Sequence, residues 1–563
     1  MGGHSAFFDP SNAPPAFNPL NLAADAPGID RLRIWLDRGR DDYARYGFDL
    51  MHATLTQRGI GHEYVVYPTG EHNNAYWSAH VADYLAFYAA EWDNVITPET
   101  LLPPTATPDA SVPTLLEQAA QRVFVPVVAF PAPRSSITLD RLRRVAAGEV
   151  DPDLMVDAAT AEGMQATGFT LNRFTRIVPP DELLPALWQA AREERPAWGL
   201  LGWDALSPHY RVLHVAQPDG TAVHPLVLRG YPLAAAGEPV NFDPARLTRI
   251  TFSGVTALAR NTLAALDTNG VDWAAEGILP YVQQADYFHI SNEVSFAPRC
   301  PQSDQPVLGG LCSKDAHFDL FTRLGVDIVE LTGNHNNDYG FDVYRRTLGL
   351  YADAGMQTVG GGETIADARA PLILDHNGTR IGLFACNFNG PEFALASDAL
   401  GAERPGAAFC VIDGWLREAI PTLKDSVDVV VVLVQYAEYD RYRPIERQMF
   451  HFRALADAGA DVVLGSQAHR PQTFELYETP SGATTFIHYG LGNLFFDQPG
   501  LENRQFFMDT TYFYDGRLLT VDLFSGVIED LARPRPMTPD EQAGFLRMML
   551  IEYGDLLLAA GDS

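Results

Sequence analysis

The chain has 563 residues, 47% hydrophobic and 11% aromatic, which is enough apolar material for several packed cores and excludes a disordered chain. With 40 basic against 71 acidic residues the formal charge is −31, which excludes nucleic acid and anionic lipid as partners. A polyanion would be repelled too, except at a local basic patch or a metal. No apolar run approaches the roughly 18–20 residues that span a bilayer, and Met1-Gly2-Gly3-His4-Ser5 does not open a signal peptide.

Residues 1–97 are expected to form the first unit. The run from Asp30 to Asp42 predicts a strand ending in a turn rich in carboxylates, followed by a helix carrying Leu50, Met51 and Leu55. Glu63–Pro68 predicts a second strand leading to Gly70-Glu71-His72-Asn73, and Trp77–Trp92 a closing amphipathic helix. Acid at one strand end and histidine at the next resembles the C-terminal third of an α/β-hydrolase esterase, with Asp42 matching the acid and His72 the base. The nucleophile elbow Gly-x-Ser-x-Gly does not precede them, and Ser5 lies outside such a motif. Without a serine, His72 has nothing to activate, so the resemblance implies a vestigial, inert fragment whose start is missing.

Residues 98–112 are rich in proline and small polar residues and predict an extended linker. Residues 113–242 predict a small α/β domain: a strand at Val123–Phe130, a helix capped by Thr138, and a strand and turn at Trp198–Leu206. The pattern resembles part of a periplasmic solute-binding domain. It carries no metal-ligand cluster or phosphate loop, and its expected role is to pack against the C-terminal domain or help bind its ligand.

From residue 245 strands and helices alternate, which predicts an α/β domain to about 545 and a C-terminal helix and tail over 546–563, the helix capped at Thr538-Pro539-Asp540-Glu541 and running to about Ala559. Its most informative stretch is an apolar strand, Val326–Leu331, that stops in Gly333-Asn334-His335 and continues to Asp338-Tyr339-Gly340. Asp461–Leu464 followed by Gly465-Ser466-Gln467-Ala468-His469 repeats the design, as does Ile487–Tyr489 before Leu491-Gly492-Asn493-Leu494. Upstream, Asn292-Glu293 places a carboxylate at another strand end. In open α/β sheets the carboxyl ends of strands are where ligands bind.

This order of motifs resembles the CapA family, linked to poly-γ-glutamate capsule synthesis, over about residues 245–545. The resemblance implies a four-layer αββα metallophosphatase-like (calcineurin-like) fold. It also implies a single divalent cation (Mn, Zn or Fe) on Glu293, Asn334, His335 and His469, with His335 and Asp338 as the catalytic pair. The chain departs from the family where the chemistry is densest. Ser253-Gly254 stands where a bridging aspartate is expected, Gln435-Tyr436-Ala437 replaces His-Trp-Gly with Glu438 out of register, and Gln467 replaces a histidine. One carboxylate and two imidazoles are gone, which argues against a full two-metal centre.

Two functions therefore stand side by side. One is a metal-dependent hydrolase acting on a cell-surface polymer or a small phosphoester or amide. The other is a non-catalytic polymer-binding or scaffolding module whose pocket uses Asn292, Gln435, Tyr436, Glu438, Gln467 and Asn493, with Gln472 and Tyr489 nearby. His335 as a turn cap and His469 as a core histidine are the bland alternatives. The four cysteines lie in two local pairs, Cys300 with Cys312 and Cys386 with Cys410, which fit two loop-closing disulfides and, with the family resemblance, predict an extracytoplasmic, envelope-associated location; four unrelated thiols in a cytosolic protein are the alternative.

Overall fold

The computed structural model describes residues 2–3, 23, 29–40, 45–69, 76, 79–89, 121–235, 240–301, 310–398 and 403–560. They fall into two compact units, 1–110 and 111–563. In the first, β1 (Trp35–Gly39) runs parallel to β2 (Glu63–Tyr67), with α1 (Arg45–Gln57) between them and α2 (Val81–Ala89) after them. Leu36, Phe48, Met51 and Leu55 form its core. The predicted acid Asp42 and base His72 lie outside the described residues.

The second unit opens with β3 (Arg122–Ala129), then α3 (Leu139–Ala146), β4 (Leu154–Asp157) and β5 (Trp198–Gly202). β3 is antiparallel to β5, and β5 parallel to β4. Thr138 caps α3 by accepting from the Arg141 N–H at 3.2 Å. This segment shares one core with the rest of the unit: the ring of Phe130 lies 5.7 Å from Phe474 and 5.6 Å from Phe486.

Two larger sheets follow. The first is built from β6 (Leu247–Thr256), β7 (Tyr287–Asn292) and β8 (Ile328–Glu330), then α4 (Phe341–Asp353) and β9 (Gln357–Val359). The second holds β10 (Leu372–His376), β11 (Thr379–Asn387), β12 (Val429–Gln435), β13 (Val462–Ser466), β14 (Pro471–Glu478) and β15 (Thr484–Leu491), with α5 (Glu446–Asp457) after β12. The chain then returns to the first sheet as β16 (Asn493–Phe495), β17 (Gln505–Tyr514), β18 (Arg517–Glu529) and β19 (Arg533–Pro536). The strand orders are 9-8-7-6-17-18-19, with β16 beside β6, and 10-11-12-13-15-14.

Alternation along β12 shows how the sheets stack. Val429, Val431 and Leu433 share a core with Ile250, Phe252 and Ile328 of the first sheet. Val430, Val432 and Val434 face the opposite way, onto Phe452 and Leu455 of α5. On β8, Val329 packs outward against Phe321 and Tyr351. A strand apolar on both faces must be covered on both, as β8 and β12 are. The C-terminal helix is shorter than the sequence suggests. α6 (Pro539–Arg547) begins with the expected box between Thr538 and Glu541, but the chain is interrupted at Tyr553-Gly554 before a last turn at Asp555–Ala560; glycine is a poor helix former.

The seam between β18 and residues 121–235 is polar. His214 Nε2 lies 2.7 Å from Asp522 Oδ2, with His224 and the buried Arg211 close by. Burial opposes charge on His214, but Asp522 outweighs it and lifts the imidazole above its ordinary value. Burial likewise opposes the Asp522 carboxylate, yet His214 holds it below the usual range. Burial, helped by His214, pushes His224 down to about 3.

These shifts contribute to both limbs of the stability profile. The His214 contribution is complete below the unfolded imidazole value and lost as pH rises through its raised folded value. The Asp522 contribution is complete above the unfolded carboxylate value and lost as pH falls through its depressed one. His224 stays neutral when folded but takes a proton when unfolded, so stability drains as pH falls from about 6.5 towards about 3. His224→Phe should flatten that acid limb in urea titrations, at a cost of about 1 kcal/mol near neutrality for the lost bond from the Leu226 N–H. An acid limb as steep as wild type would show that His224 does not contribute to it.

Candidate functional site

Strand geometry brings the polar residues to one rim. β7 releases Glu293, β8 leads into Gly333-Asn334-His335, β12 ends at Gln435, and β13 ends at Ser466 just before Gln467 and His469. β7 and β8 are parallel, as are β12 and β13, so these are all carboxyl ends. Gly333 lets the turn after β8 lie directly on Glu293: a β-carbon there would stand 2.4 Å from the Glu293 Cα. Val294 and His335 then pair as a short parallel bridge.

Gln435 is the hub. Its Nε2 donates towards Glu293 Oε1 at 3.2 Å and Asn334 Oδ1 at 3.0 Å, and also to Gln467 Oε1. Its Oε1 accepts from Asn387 Nδ2 at 3.0 Å. Asn387 closes β11 and was not singled out by sequence reasoning, although it ends an apolar strand just as Gln435 does. Gln467 Nε2 reaches Glu438 Oε1 at 3.3 Å. Gln467 and His469 have φ of 76° and 52°, a left-handed region that costs a side-chain-bearing residue about 1–2 kcal/mol.

Both histidines are held by Nδ1. His335 Nδ1 lies 2.7 Å from Asp338 Oδ2, which also accepts the Leu311 N–H at 2.7 Å. His469 Nδ1 donates to Asn493 Oδ1 at 2.8 Å, and Asn493 is fixed in that sense because its Nδ2 gives to the carbonyls of His469 and Asn503 at 3.1 and 2.9 Å. His469 Nε2 is therefore left facing Glu438 Oε1 at 3.3 Å and Glu293 Oε1 at 4.0 Å.

The electrostatics separate the two carboxyls. Burial raises Glu293 above the usual carboxylate range in spite of His469 and His335. Glu438, half in solvent, is lowered first by its bond to His469. Burial disfavours charge on His469, but Glu293, Glu438 and Asn493 outweigh it and raise the ring. His335 is raised in the same way, by Asp338 and Glu293 against burial. The ion pair is thus His469 with Glu438, while Glu293 is the carboxyl more ready to hold a proton.

Other expected residues do not join the cluster. Asn292 spends its amide on the Val294 carbonyl and the Tyr351 hydroxyl, both at 2.7 Å. Tyr436 faces the opposite way from Gln435, bonded to His451 Nδ1 at 2.9 Å and stacked on Phe388. Gln472 takes the Gln448 amide at 2.9 Å, and the Tyr489 hydroxyl gives to Glu475 at 2.5 Å. Where an aspartate was expected, the buried Ser253 hydroxyl donates to the His289 carbonyl at 2.9 Å. Gly254 passes so close to Gly492 that a β-carbon would meet its carbonyl oxygen at 2.0 Å, so no carboxylate side chain fits there.

The cation implied by the family resemblance finds a poor donor set. Among the described residues no group of three or more His, Cys, Asp or Glu side chains is placed to hold a metal ion. The point on which the oxygens of Glu293, Asn334 and Gln467 converge carries an amide N–H₂, which has no lone pair to offer. These residues do not fit a divalent cation there.

The ring assignments can be read by NMR titration of the imidazole Cε1 protons. Asp338→Asn should lower the His335 pKa and Glu438→Gln that of His469, since each removes an accepting carboxylate. A rise in either case, or no movement, would mean that the named carboxylate does not govern its histidine.

Residues 249–498 match the family described as "Bacterial capsule synthesis protein PGA_cap". The capsule biosynthesis protein CapA of Bacillus anthracis is 24% identical over 308 residues, which cover 53% of this chain and 72% of that protein. The PGA biosynthesis protein CapA of Bacillus subtilis is 27% identical over 253 residues, covering 44% of this chain and 63% of that protein, under two thirds of its length. A crystal structure of a hypothetical protein from Thermus thermophilus aligns with 49% of this chain and 98% of its own, at 15% identity and a TM-score of 0.31. The part of the chain that builds the Gln435 cluster is thus similar to bacterial capsule synthesis proteins of the CapA type.

Proposed function

We propose that this protein acts in the biosynthesis of a capsule or other cell-surface polymer of the poly-γ-glutamate type, and that the Gln435 cluster holds the polymer's carboxylate and amide groups. The match over residues 249–498 supports the first part. The observation that carries the second is a pair of imidazoles, His335 and His469, each anchored through Nδ1 and each raised towards its cationic form. An arginine flanks His469 in an otherwise acidic chain: Arg260, paired with Asp497, lies over Phe496, which stacks on His469. Such a site offers N–H donors to a polyanion where the surface as a whole repels it.

Two sheets sharing a core, with helices on both outer faces, support metallophosphatase-type layering. The disulfides Cys300–Cys312 and Cys386–Cys410 support an oxidising, extracytoplasmic setting, and among the described residues no helix is long and apolar enough to cross a membrane. The parallel β1–β2 pair and intervening helix of the first unit support its α/β-hydrolase resemblance, whose acid Asp42 and base His72 lie outside the described residues.

Calorimetric titration of the full chain with poly-γ-glutamate oligomers, against polyaspartate and a neutral polysaccharide, tests the proposal. Selective binding should weaken with salt and fall at least about tenfold, or about 1.4 kcal/mol, in the His335→Ala, His469→Ala double variant. Chromatography of the same mixtures reports whether the polymer is cut. Equal affinity for all three polymers, or binding untouched by the double substitution, would remove this site from the proposal.

A further inference from the structure

We infer that this site works without a divalent cation because the side-chain amide of Gln435 stands where the cation would be held. The inference concerns the chemistry of the site and does not depend on which polymer it binds. Glu293 and Asn334, two of the oxygen donors that the family resemblance assigns to a metal, direct Oε1 and Oδ1 onto Gln435 Nε2 at 3.2 and 3.0 Å, and Gln467 Oε1 joins them. Acceptors gathered from the ends of β7, β8 and β13 thus surround an N–H₂ group, which supplies the partial positive charge that such a cluster requires.

The sense of the amide is set by its surroundings. Asn387 Oδ1 accepts the Gly390 N–H at 2.7 Å, and its Nδ2 donates to the Thr332 carbonyl at 2.7 Å and to Gln435 Oε1 at 3.0 Å. Backbone groups therefore fix Asn387, and Asn387 fixes Gln435. Turning the Gln435 carbonyl inward would set it against the oxygens of Glu293, Asn334 and Gln467 and leave two N–H₂ groups facing each other. Every member of this chain is buried: Asn387, Gln435, Gln467 and Glu293 are each at most 1% exposed. A cation entering here would have to break the whole chain of bonds, and amide nitrogen offers it nothing in return.

The test uses the full-length protein. Elemental analysis after dialysis, with and without EDTA, should find no stoichiometric manganese, zinc or iron, and Tm should be the same in EDTA and in excess Mn²⁺ or Zn²⁺. Gln435→Glu replaces N–H₂ by a carboxylate oxygen, so that oxygens alone converge on the point. This variant should be less stable than wild type in EDTA and regain about 2–4 °C in excess Mn²⁺, with metal bound. Wild-type protein that retains about one equivalent of metal, or whose Tm drops in EDTA, would overturn the inference. Should the variant fail to fold in EDTA and in Mn²⁺ alike, the wild-type measurements decide alone.

Discussion

The site depends on a constraint far larger than itself, the shared core between two sheets. Ile250 and Phe252 of one sheet and Val429, Val431 and Leu433 of the other belong to the same buried cluster. Because the strands feeding the site are parallel within each sheet, this stacking sets the carboxyl ends of β7 and β8 opposite those of β12 and β13. Burying side chains of this kind stabilises by about 1.5–3 kcal/mol each, so the convergence is held by many residues that take no part in the chemistry. Hydrogen bonds of 3.0–3.2 Å between the two sheets' loops are possible only because that packing leaves the loops no freedom to part.

Each disulfide then serves a residue that orients the site. Cys386 precedes Asn387, and the Cys410 N–H bonds to the Asn387 carbonyl at 2.9 Å, so the Cys386–Cys410 bridge closes around the residue that sets Gln435. Cys312 follows Leu311, whose N–H meets Asp338, the residue that sets His335. A disulfide acts mainly by restricting the chain's freedom. Here the restricted segments include backbone groups that fix an amide and a carboxylate, which in turn fix a glutamine and a histidine. The covalent links stand two steps from the pocket, and their effect on it is geometric.

Much of this was legible in the sequence. Apolar runs ending in Glu293, Asn334-His335 and Gln467-Ala468-His469 marked strand ends that the fold gathers at one rim, and the cysteine positions marked both bridges. What the sequence could not show was the direction of side chains beyond a strand's last residue. Asn292 and Tyr436 stand next to Glu293 and Gln435, yet strand alternation turns them to Tyr351 and His451 instead. Asn387 was missed because it lies outside the motifs that carry the family resemblance; its role exists only through the Thr332 carbonyl and the Gly390 N–H. Substitution also looked like loss: a glutamine where a histidine was expected reads as a missing ligand, whereas in the fold it bonds to Glu293, Asn334, Gln467 and Asn387.

The electrostatics follow from exchanging a cation for an amide. A dication would hold neighbouring carboxylates ionised and hold imidazoles neutral as ligands. With an N–H₂ in that place the order reverses. Glu293, fully buried with its Oε2 unbonded, is pushed up by desolvation, while His335 and His469 rise because the charge they meet is carboxylate. Glu438 remains in contact with solvent and becomes the counter-ion of His469. The pocket that results sets two imidazoles raised by neighbouring carboxylates beside a buried carboxyl raised by desolvation. In a chain of formal charge −31, the cluster thus gathers two groups whose surroundings favour the cationic form.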